Sequence, residues 1–254
     1  MSKTKISWSN FSWNLISGCT KYSAGCANCY AETMTRRLKA MGQEKYKDGF
    51  DKVVCHPDAL DEPRKVKNPS MFFVCSMADL FHKDVPFEFV DRVMYTIANT
   101  PQHTYQILSK RSDRLSAYCN WMPIPKNAWI GVTVEAEQYK NRIDDLREVK
   151  KFNPDNVTFL SCEPLLSDLG ELNLDGIDWV IVGGESGPNA RPMKKEWVLN
   201  IQRQCKEQGV TFFFKQWGTF GQDGVKRNKK DNGNFINGKQ YMEYPASYTI
   251  SKKQ

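Results

Sequence analysis

Short apolar runs that end abruptly in polar residues recur along this chain, and they constrain its fold more than any other feature. Residues 71–75 are continuously apolar rather than alternating, which is typical of a strand buried on both faces of a parallel sheet. Similar runs lie at residues 104–108, 129–134, 157–161, 179–182 and 210–214. A charged side chain follows each run within a few residues, so the sequence predicts a series of buried strands with polar ends.

Helical patterns separate most of these runs, at residues 28–41, 86–99, 112–120, 136–149 and 194–208. Such alternation of strand and helix predicts a parallel sheet with crossover helices. A first strand before residue 18 brings the number of strands to seven or eight. We therefore predict an α/β fold with a single domain, a partial or complete parallel β/α (TIM-like) barrel over residues 1–220. Residues 221–254 are predicted to be an irregular C-terminal extension.

A loop with three cysteines follows the predicted first strand. Cys19, Cys26 and Cys29 have the spacing C-x6-C-x2-C, and a glycine precedes each of the first two. Three thiolates are one fewer than the four that close a structural zinc or iron–sulfur site. We predict that these cysteines bind a metal centre. An iron–sulfur cluster held in this way keeps one iron free of protein ligands, where a substrate or cofactor can bind.

Zinc is the main alternative for this loop, and it requires a fourth ligand such as His56 or Cys55. Structural zinc sites usually add a second close pair of ligands to a C-x2-C pair, and the sequence has no such pair nearby. The iron–sulfur interpretation is therefore favoured. The other cysteines are isolated, as expected of small buried side chains in a chain that keeps its thiols reduced. They are Cys55, Cys75, Cys119, Cys162 and Cys205.

Polar side chains at the strand ends predict a shared site, because β/α barrels place their sites at the carboxyl ends of the strands. Polar side chains recur at six strand ends, which indicates that they line one polar, enclosed cavity rather than each capping a separate turn or helix. The side chains concerned are Ser76, Asp79, Lys110, Arg111, Glu135, Glu163, Glu185, Lys215 and Gln216. Arg191 lies six residues beyond Glu185 and is placed to contact a carboxylate or a phosphate.

The net charge of +7 permits a polyanionic partner such as nucleic acid. No apolar run approaches the roughly 20 residues that a membrane-spanning helix needs. Residues 1–5 are not followed by an apolar stretch, so the sequence predicts no signal peptide, no membrane association and a cytoplasmic location.

The cysteine loop resembles the cluster loop of the radical S-adenosylmethionine superfamily. Trp13-Asn14, Gly18-Cys19, Gly25-Cys26 and Cys29-Tyr30-Ala31 are more closely similar to the uncharacterised radical-SAM-like family of phages and prophages. The similarity extends over about residues 6–220. Its later blocks are residues 76–79, 108–111, 131–135, 161–164, 183–187 and 214–218.

The resemblance implies a [4Fe–4S] cluster on Cys19, Cys26 and Cys29, with S-adenosyl-L-methionine on the fourth iron. One electron from a donor protein then cleaves the cofactor and yields a 5′-deoxyadenosyl radical, which abstracts a hydrogen atom. The sequence departs from the superfamily in two respects. The commonest spacing, C-x3-C-x2-C, is lengthened here, and the glycine-glycine-glutamate after the second strand is replaced by His56-Pro57.

With this resemblance we predict a catalytic role for Lys110 and Glu163, and for Cys162 as a donor of a hydrogen atom. Cofactor binding is predicted for Ser76, Asp79, Glu135, Glu185 and Lys215. The positive charge and the phage-type similarity favour a nucleic acid or nucleotide as substrate. The alternative function is a metal-stabilised (zinc or Fe–S) nucleic-acid-binding protein without catalysis, which predicts salt-sensitive binding and no cleavage of S-adenosylmethionine.

Overall fold

The computed structural model describes residues 2–4 and 6–246. Its strands are β1 (Ser2–Lys3), β2 (Phe11–Trp13), β3 (Ile16–Ser17), β4 (Val54–Cys55), β5 (Met71–Val74), β6 (Thr104–Ser109), β7 (Ala128–Thr133), β8 (Thr158–Cys162), β9 (Trp179–Gly183), β10 (Thr211–Gln216), β11 (Phe235–Ile236) and β12 (Lys239–Gln240). Its α-helices are α1 (Tyr30–Ala40), α2 (Phe87–Ala98), α3 (Ser112–Cys119), α4 (Asn141–Phe152), α5 (Lys195–Glu207) and α6 (Lys229–Asn232).

Eight strands form one sheet in the order β1-β2-β5-β6-β7-β8-β9-β10. β1 runs antiparallel to β2, and the other neighbouring strands of this sheet are parallel. From β5 to β10 the spatial order follows the chain order. Helices α2, α3 and α4 connect β5 to β8 in turn, and α5 connects β9 to β10. The predicted alternation of strands and crossover helices is therefore confirmed.

The crossover helices pack on a single face of the sheet. Val93 of α2, Leu146 of α4 and Ile201 of α5 belong to the same buried cluster as the strand residues Ile130 and Val180. A doubly wound sheet carries helices on both faces, whereas one-sided helices with strands in sequential order are the arrangement of a β/α barrel. Among the described residues β10 pairs with neither β1 nor β2, so the barrel is partial.

The opposite face of the sheet, called here the inner face, carries a second apolar cluster with Trp8, Trp129, Trp179 and Phe213. The ring of Trp179 contacts Trp8, Trp129 and Phe213 edge-on, with ring centres 5.7 to 6.4 Å apart. Side chains alternate along a strand. Every second residue of β7 from Trp129 onward therefore faces the inner side of the sheet. The polar strand-end residues follow at the carboxyl end of this strand.

Residues 221–246 pack on the barrel, and the helix and strands among them are the short elements α6, β11 and β12. The backbone N–H of Phe214 donates to the carbonyl of Tyr241 at 2.7 Å, so this segment covers the free edge of β10. Trp179 Nε1 donates to the carbonyl of Glu243 at 2.9 Å, and Tyr244 reaches the carbonyl of Ser7 at 3.2 Å. The remainder of the predicted extension, 247–254, lies outside the described residues.

Helix α1 confirms the helix predicted at residues 28–41, for which the sequence spacing predicts that Ala31, Met34, Leu38 and Met41 share one face. Ala31 and Thr35 are buried, whereas Met41 is 71% exposed. A short 3-10 turn, Glu44–Tyr46, packs against this helix. Within the described ranges, no helix combines the length and the apolar character that crossing a bilayer requires.

Candidate functional site

The cysteine loop, residues 18–29, begins directly after β3. Gly18 has φ +79°, and a Cβ at this position would overlap the backbone carbonyl of Lys52, so the turn requires glycine. Residues Ala24–Cys26 form a 3-10 turn, and Cys29 directly precedes α1. Cys19, Cys26 and Cys29 are all partly exposed, and none of them is in a disulfide.

Asp79 and Arg111 fix the first part of this loop. Asp79 Oδ2 lies 3.0 Å from Arg111 Nη1, and both side chains are at least nine-tenths buried. Arg111 Nη2 donates to the carbonyl of Thr20 at 3.1 Å, and Nη1 lies 3.9 Å from Cys19 Sγ. Burial raises the pKa of the Cys19 thiol to about 11, although the Arg111 charge acts in the opposite direction. Metal binding would have to displace this proton.

Glu135 and Arg142 fix the middle of the loop. Glu135 Oε2 lies 2.8 Å from Arg142 Nη1, and neither side chain is more than 4% exposed. The other carboxylate oxygen accepts hydrogen bonds from the Ser23 hydroxyl and from the backbone N–H of Gly25, the latter at 3.2 Å. A Cβ at residue 25 would lie 3.0 Å from this oxygen, so the close approach favours glycine immediately before Cys26.

Glu185 and Arg191 fix the last part of the loop. Arg191 Nη2 lies 2.6 Å from Glu185 Oε1, and Arg191 Nη1 donates to the carbonyl of Ala24 at 2.9 Å. Asn28 Nδ2 donates to Glu185 Oε2 at 3.2 Å. Burial alone raises the pKa of Glu185, but the hydrogen bonds from Arg191 outweigh it and lower the pKa below its ordinary value. Arg191 thus pairs with a carboxylate of the protein itself, and its contact with a ligand stays a prediction.

Three of the strand-end acids thus hold the cysteine loop through buried or half-buried arginine pairs. Sequence reasoning found Asp79, Glu135 and Glu185, but it missed Arg142, which lies within the helix predicted at residues 136–149, a segment rich in charged side chains. An arginine in the first turn of such a helix has the pattern of a solvated residue, so the sequence carries no direct signal of its burial. The proposed cofactor contacts of the three acids stay predictions, because much of their hydrogen-bonding capacity is already used by the protein.

Ser76 and Lys110 lie at neighbouring strand ends. The Ser76 hydroxyl donates to Asn14 Oδ1 at 3.1 Å. The backbone N–H of Lys110 donates to Asp79 Oδ2 at 3.1 Å. In the part of the chain that the structure describes, no ion pair involves the Lys110 ammonium group. Lys110 is therefore available to a ligand, whereas Arg111, Arg142 and Arg191 are paired with acids.

Glu163 and Lys215 form a fourth pair, on the inner face of the sheet. Lys215 Nζ lies 3.1 Å from Glu163 Oε2, and the two side chains are 22% and 15% exposed. The same ammonium group lies 5.8 Å from the ring centre of Trp8. A Cβ at residue 183 would collide with the Glu163 carboxylate, so Gly183 leaves the space that this side chain occupies. The pair presents polar groups next to the aromatic inner cluster.

Cys162 lies on the helix-facing side of β8, in the cluster that contains Cys205 of α5. It is fully buried, and burial raises the pKa of its thiol well above the ordinary value. Transfer of a hydrogen atom to a substrate at the strand ends would require this thiol to leave the core. Cys162 therefore faces the helix layer, and its role as a donor of a hydrogen atom stays a prediction.

The donor set of the loop suits an iron–sulfur cluster, because three thiols lie within eleven residues at the strand ends. Cys19 and Cys26 are close enough for a charge on one to raise the pKa of the other. Across residues 2–4 and 6–246, however, no three His, Cys, Asp or Glu side chains are close enough together to hold a metal ion. Cluster binding thus requires the three thiols to turn toward a common point.

The predicted zinc alternative also lacks an assembled site. His56 Nε2 is 2.8 Å from the Ser17 hydroxyl, so this ring nitrogen already has a partner. Cys55 lies in β4, which pairs with β3 just before the loop. Neither residue joins the loop cysteines in a metal-binding group within the described ranges.

The fold and the site define a class of protein: a partial β/α barrel in which a loop with three cysteines is held at the strand ends. The family model described as "Protein of unknown function (DUF5131)" matches residues 3–245. The chain therefore belongs to this family.

No curated protein matches the chain. Spore photoproduct lyase complexed with dinucleoside spore photoproduct is a similar solved structure, with 13% identity and a TM-score of 0.48 over 81% of this chain and 63% of that chain. A mutant of spore photoproduct lyase with bound AdoMet and dinucleoside spore photoproduct has 13% identity and a TM-score of 0.46 at the same coverage. The chain spans less than two thirds of the length of these matched chains.

Proposed function

We propose that this protein is a radical S-adenosylmethionine enzyme that acts on a nucleic acid or nucleotide. The observation that carries the proposal is the way Cys19, Cys26 and Cys29 are presented. Their loop is held at the carboxyl ends of parallel strands, where β/α barrels keep their active sites. Burying an ion pair costs desolvation free energy, so an acid–arginine pair is weak evidence for stability alone. Three acid–arginine pairs hold this one loop, which supports a functional requirement for the position of the loop.

Cys19, Cys26 and Cys29 would hold a [4Fe–4S] cluster and leave one iron for S-adenosyl-L-methionine. With an electron from a donor protein, the bound cofactor would supply a carbon radical that abstracts a hydrogen atom. The protein's own contribution is positional: the arginine pairs orient the loop, and the aromatic inner face restricts water. Lys110, Glu163 and Lys215 present the polar groups for a ligand.

A nucleic acid or nucleotide substrate is supported by the net charge of +7 and by the sequence similarity to radical-SAM-like proteins of phages and prophages. The phage-type assignment rests on the sequence blocks alone, and we propose it together with the substrate class.

The test is anaerobic reconstitution of the full chain with iron and sulfide, followed by incubation with S-adenosylmethionine and dithionite. The expected product is 5′-deoxyadenosine, measured by liquid chromatography, at a rate that depends on the cluster. Variants with each loop cysteine replaced by alanine are expected to lose both iron and product. Cys55→Ala is the matched control, because this cysteine is also partly exposed but lies outside the loop.

Stoichiometric zinc with no visible cluster absorbance would contradict the proposal. In that case salt-sensitive binding of nucleic acid without cofactor cleavage would support the alternative of a metal-stabilised binding protein.

A further inference from the structure

A cavity of about 300 Å³ opens beside the cysteine loop. It lies between the first part of the loop, the segment that follows β5 and the first turn of α3. None of the roles described so far uses it. Its lining residues are Thr20, Tyr22, Lys83, Arg111, Asp113 and Arg114.

The charges of the cavity favour an anion. Arg111 is paired with Asp79, so its charge is largely neutralised. The remaining charged residues of the lining are two cations, Lys83 and Arg114, and one carboxylate, Asp113. Within the described residues, no ion pair involves any of these three. The backbone N–H groups of the first turn of α3 have no partners within the helix and add partial positive charge at the same place.

Arg114 is held in position before any ligand arrives. The Arg114 guanidinium lies 4.3 Å from the ring centre of Phe87 and donates to the carbonyl of Val85 at 2.7 Å. Its Nε atom is buried and has no hydrogen-bond partner in the described part of the protein. An arginine fixed in this way loses little conformational entropy when it binds an oxyanion.

Tyr22 gives the cavity an aromatic wall. Its side chain is 49% exposed, and the Arg111 guanidinium lies 4.9 Å from its ring centre. Exposed aromatic rings next to cationic groups are the elements with which proteins bind single-stranded nucleic acids, by stacking of a base and neutralisation of a phosphate. Thr20, which also lines the cavity, directly follows Cys19. A phosphate in the cavity would therefore lie beside the loop that carries the three cysteines.

We propose that this cavity binds a phosphate group of a nucleotide or nucleic-acid strand, with Lys83 and Arg114 as the cationic contacts and Tyr22 as the stacking surface for the adjacent base. This inference rests on the proposed function where it calls the bound strand a substrate. The proposed phosphate site lies outside the inner face of the sheet. A nucleic-acid strand that reaches both the cavity and the inner face would therefore cross the cysteine loop.

The first test compares Lys83→Glu with Lys206→Glu in the reconstituted full-length protein. Both lysines are exposed, and the two variants change the net charge equally, but Lys206 lies on α5 and does not line the cavity. The probe is a short fluorescein-labelled single-stranded oligonucleotide, measured by fluorescence anisotropy. We expect Lys83→Glu to weaken binding about tenfold or more and Lys206→Glu to weaken it less than about twofold. The reason is that salt largely screens the interaction between exposed charges that are farther apart than the Debye length of about 10 Å. Equal weakening by the two variants would overturn the proposal.

A second variant is expected to improve binding. Asp113→Asn removes the carboxylate that opposes the phosphate and keeps a side chain of nearly the same size in the first turn of α3. Binding of the oligonucleotide is expected to tighten about three- to fivefold, the effect of one unit charge a few ångströms from another in water. Unchanged or weaker binding by a variant that unfolds at the same temperature as the wild type would contradict the assignment.

Competition identifies the source of the phosphate. A mononucleotide is expected to displace the oligonucleotide at lower concentration than inorganic phosphate does, and Tyr22→Ala is expected to remove this difference. Equal competition by both in the wild type would overturn the nucleotide part of the proposal.

Cofactor cleavage without substrate separates this inference from the proposed function. Formation of 5′-deoxyadenosine by the wild type, with normal oligonucleotide binding by Lys83→Glu, would refute the cavity assignment alone. The expected binding pattern in a protein that never cleaves the cofactor would refute the substrate role and the proposed function but support the phosphate site.

Discussion

The carboxylate of Glu135 lies 2.8 Å from the Arg142 guanidinium in a site closed to solvent, and its second oxygen holds the backbone of Gly25. Removing one partner of a buried ion pair leaves an uncompensated charge. Glu135→Ala is therefore expected to lower the free energy of unfolding by about 3–5 kcal/mol. It is also expected to reduce iron uptake during reconstitution, because the backbone before Cys26 loses its acceptor. Urea unfolding and iron analysis measure the two effects.

The matched control is Glu137→Ala, two residues further along the chain. Glu137 is 68% exposed and lies 3.7 Å from Lys140, so its removal is expected to cost less than about 1 kcal/mol and to leave iron uptake unchanged. Equal losses in the two variants would show that the buried pair has no special role in holding the loop.

The Glu185–Arg191 pair predicts a defined dependence of stability on pH. The folded protein lowers the pKa of Glu185, so the pair stabilises the folded state fully above the ordinary value of 4.5. This contribution is lost as the pH falls through the lowered pKa. The difference in unfolding free energy between wild type and Glu185→Gln is therefore expected to be about 1.5 kcal/mol near neutral pH and to shrink in acid. Urea unfolding over a pH series measures it, and a difference that grows in acid would contradict the assigned contact.

Thiol labelling provides a readout of the metal site that does not need activity. Four cysteines are partly exposed and four are buried, and burial raises the pKa values of Cys75, Cys119 and Cys205 to about 12. A thiol reagent is therefore expected to modify Cys26, Cys29 and Cys55 first in the metal-free protein, and Cys19 after them because its pKa is raised to about 11. After reconstitution Cys55 alone of these four is expected to react quickly. Protection of Cys55 together with only two loop cysteines would instead indicate a different ligand set.

The segment that covers β10 is expected to be required for stability. A chain that ends at residue 240 loses the Phe214–Tyr241 backbone bond and the packing of Tyr244 against Trp179. The loss of buried aromatic contacts is expected to lower the unfolding free energy by about 3 kcal/mol or more. A chain that ends at residue 246 keeps these contacts and is the control. Thermal unfolding compares the two, and identical midpoints would contradict the assigned packing.

The sequence revealed those parts of the structure that have a local signature. Continuous apolar runs such as residues 71–75 identify strands buried on both faces, and polar groups after them identify the strand ends. The role of Asp79 did not follow, because its partner Arg111 lies 32 residues away and only the parallel pairing of β5 with β6 brings the two together. The cover of β10 was missed for a similar reason: the bond from Phe214 to Tyr241 joins backbone groups, which any residue carries.

The cysteine loop contacts Arg111, Glu135 and Glu185, which follow β6, β7 and β9, and Arg111 in turn pairs with Asp79, which follows β5. A closed barrel has its curvature fixed by a continuous ring of hydrogen bonds, whereas within the described residues no pairing joins the first and last strands of this sheet. The loop therefore links the ends of several strands across the curved sheet. A change in the curvature of the sheet would move these strand ends and, with them, the three cysteine sulfurs. The shape of the sheet and the geometry that the sulfurs offer to a metal are therefore coupled.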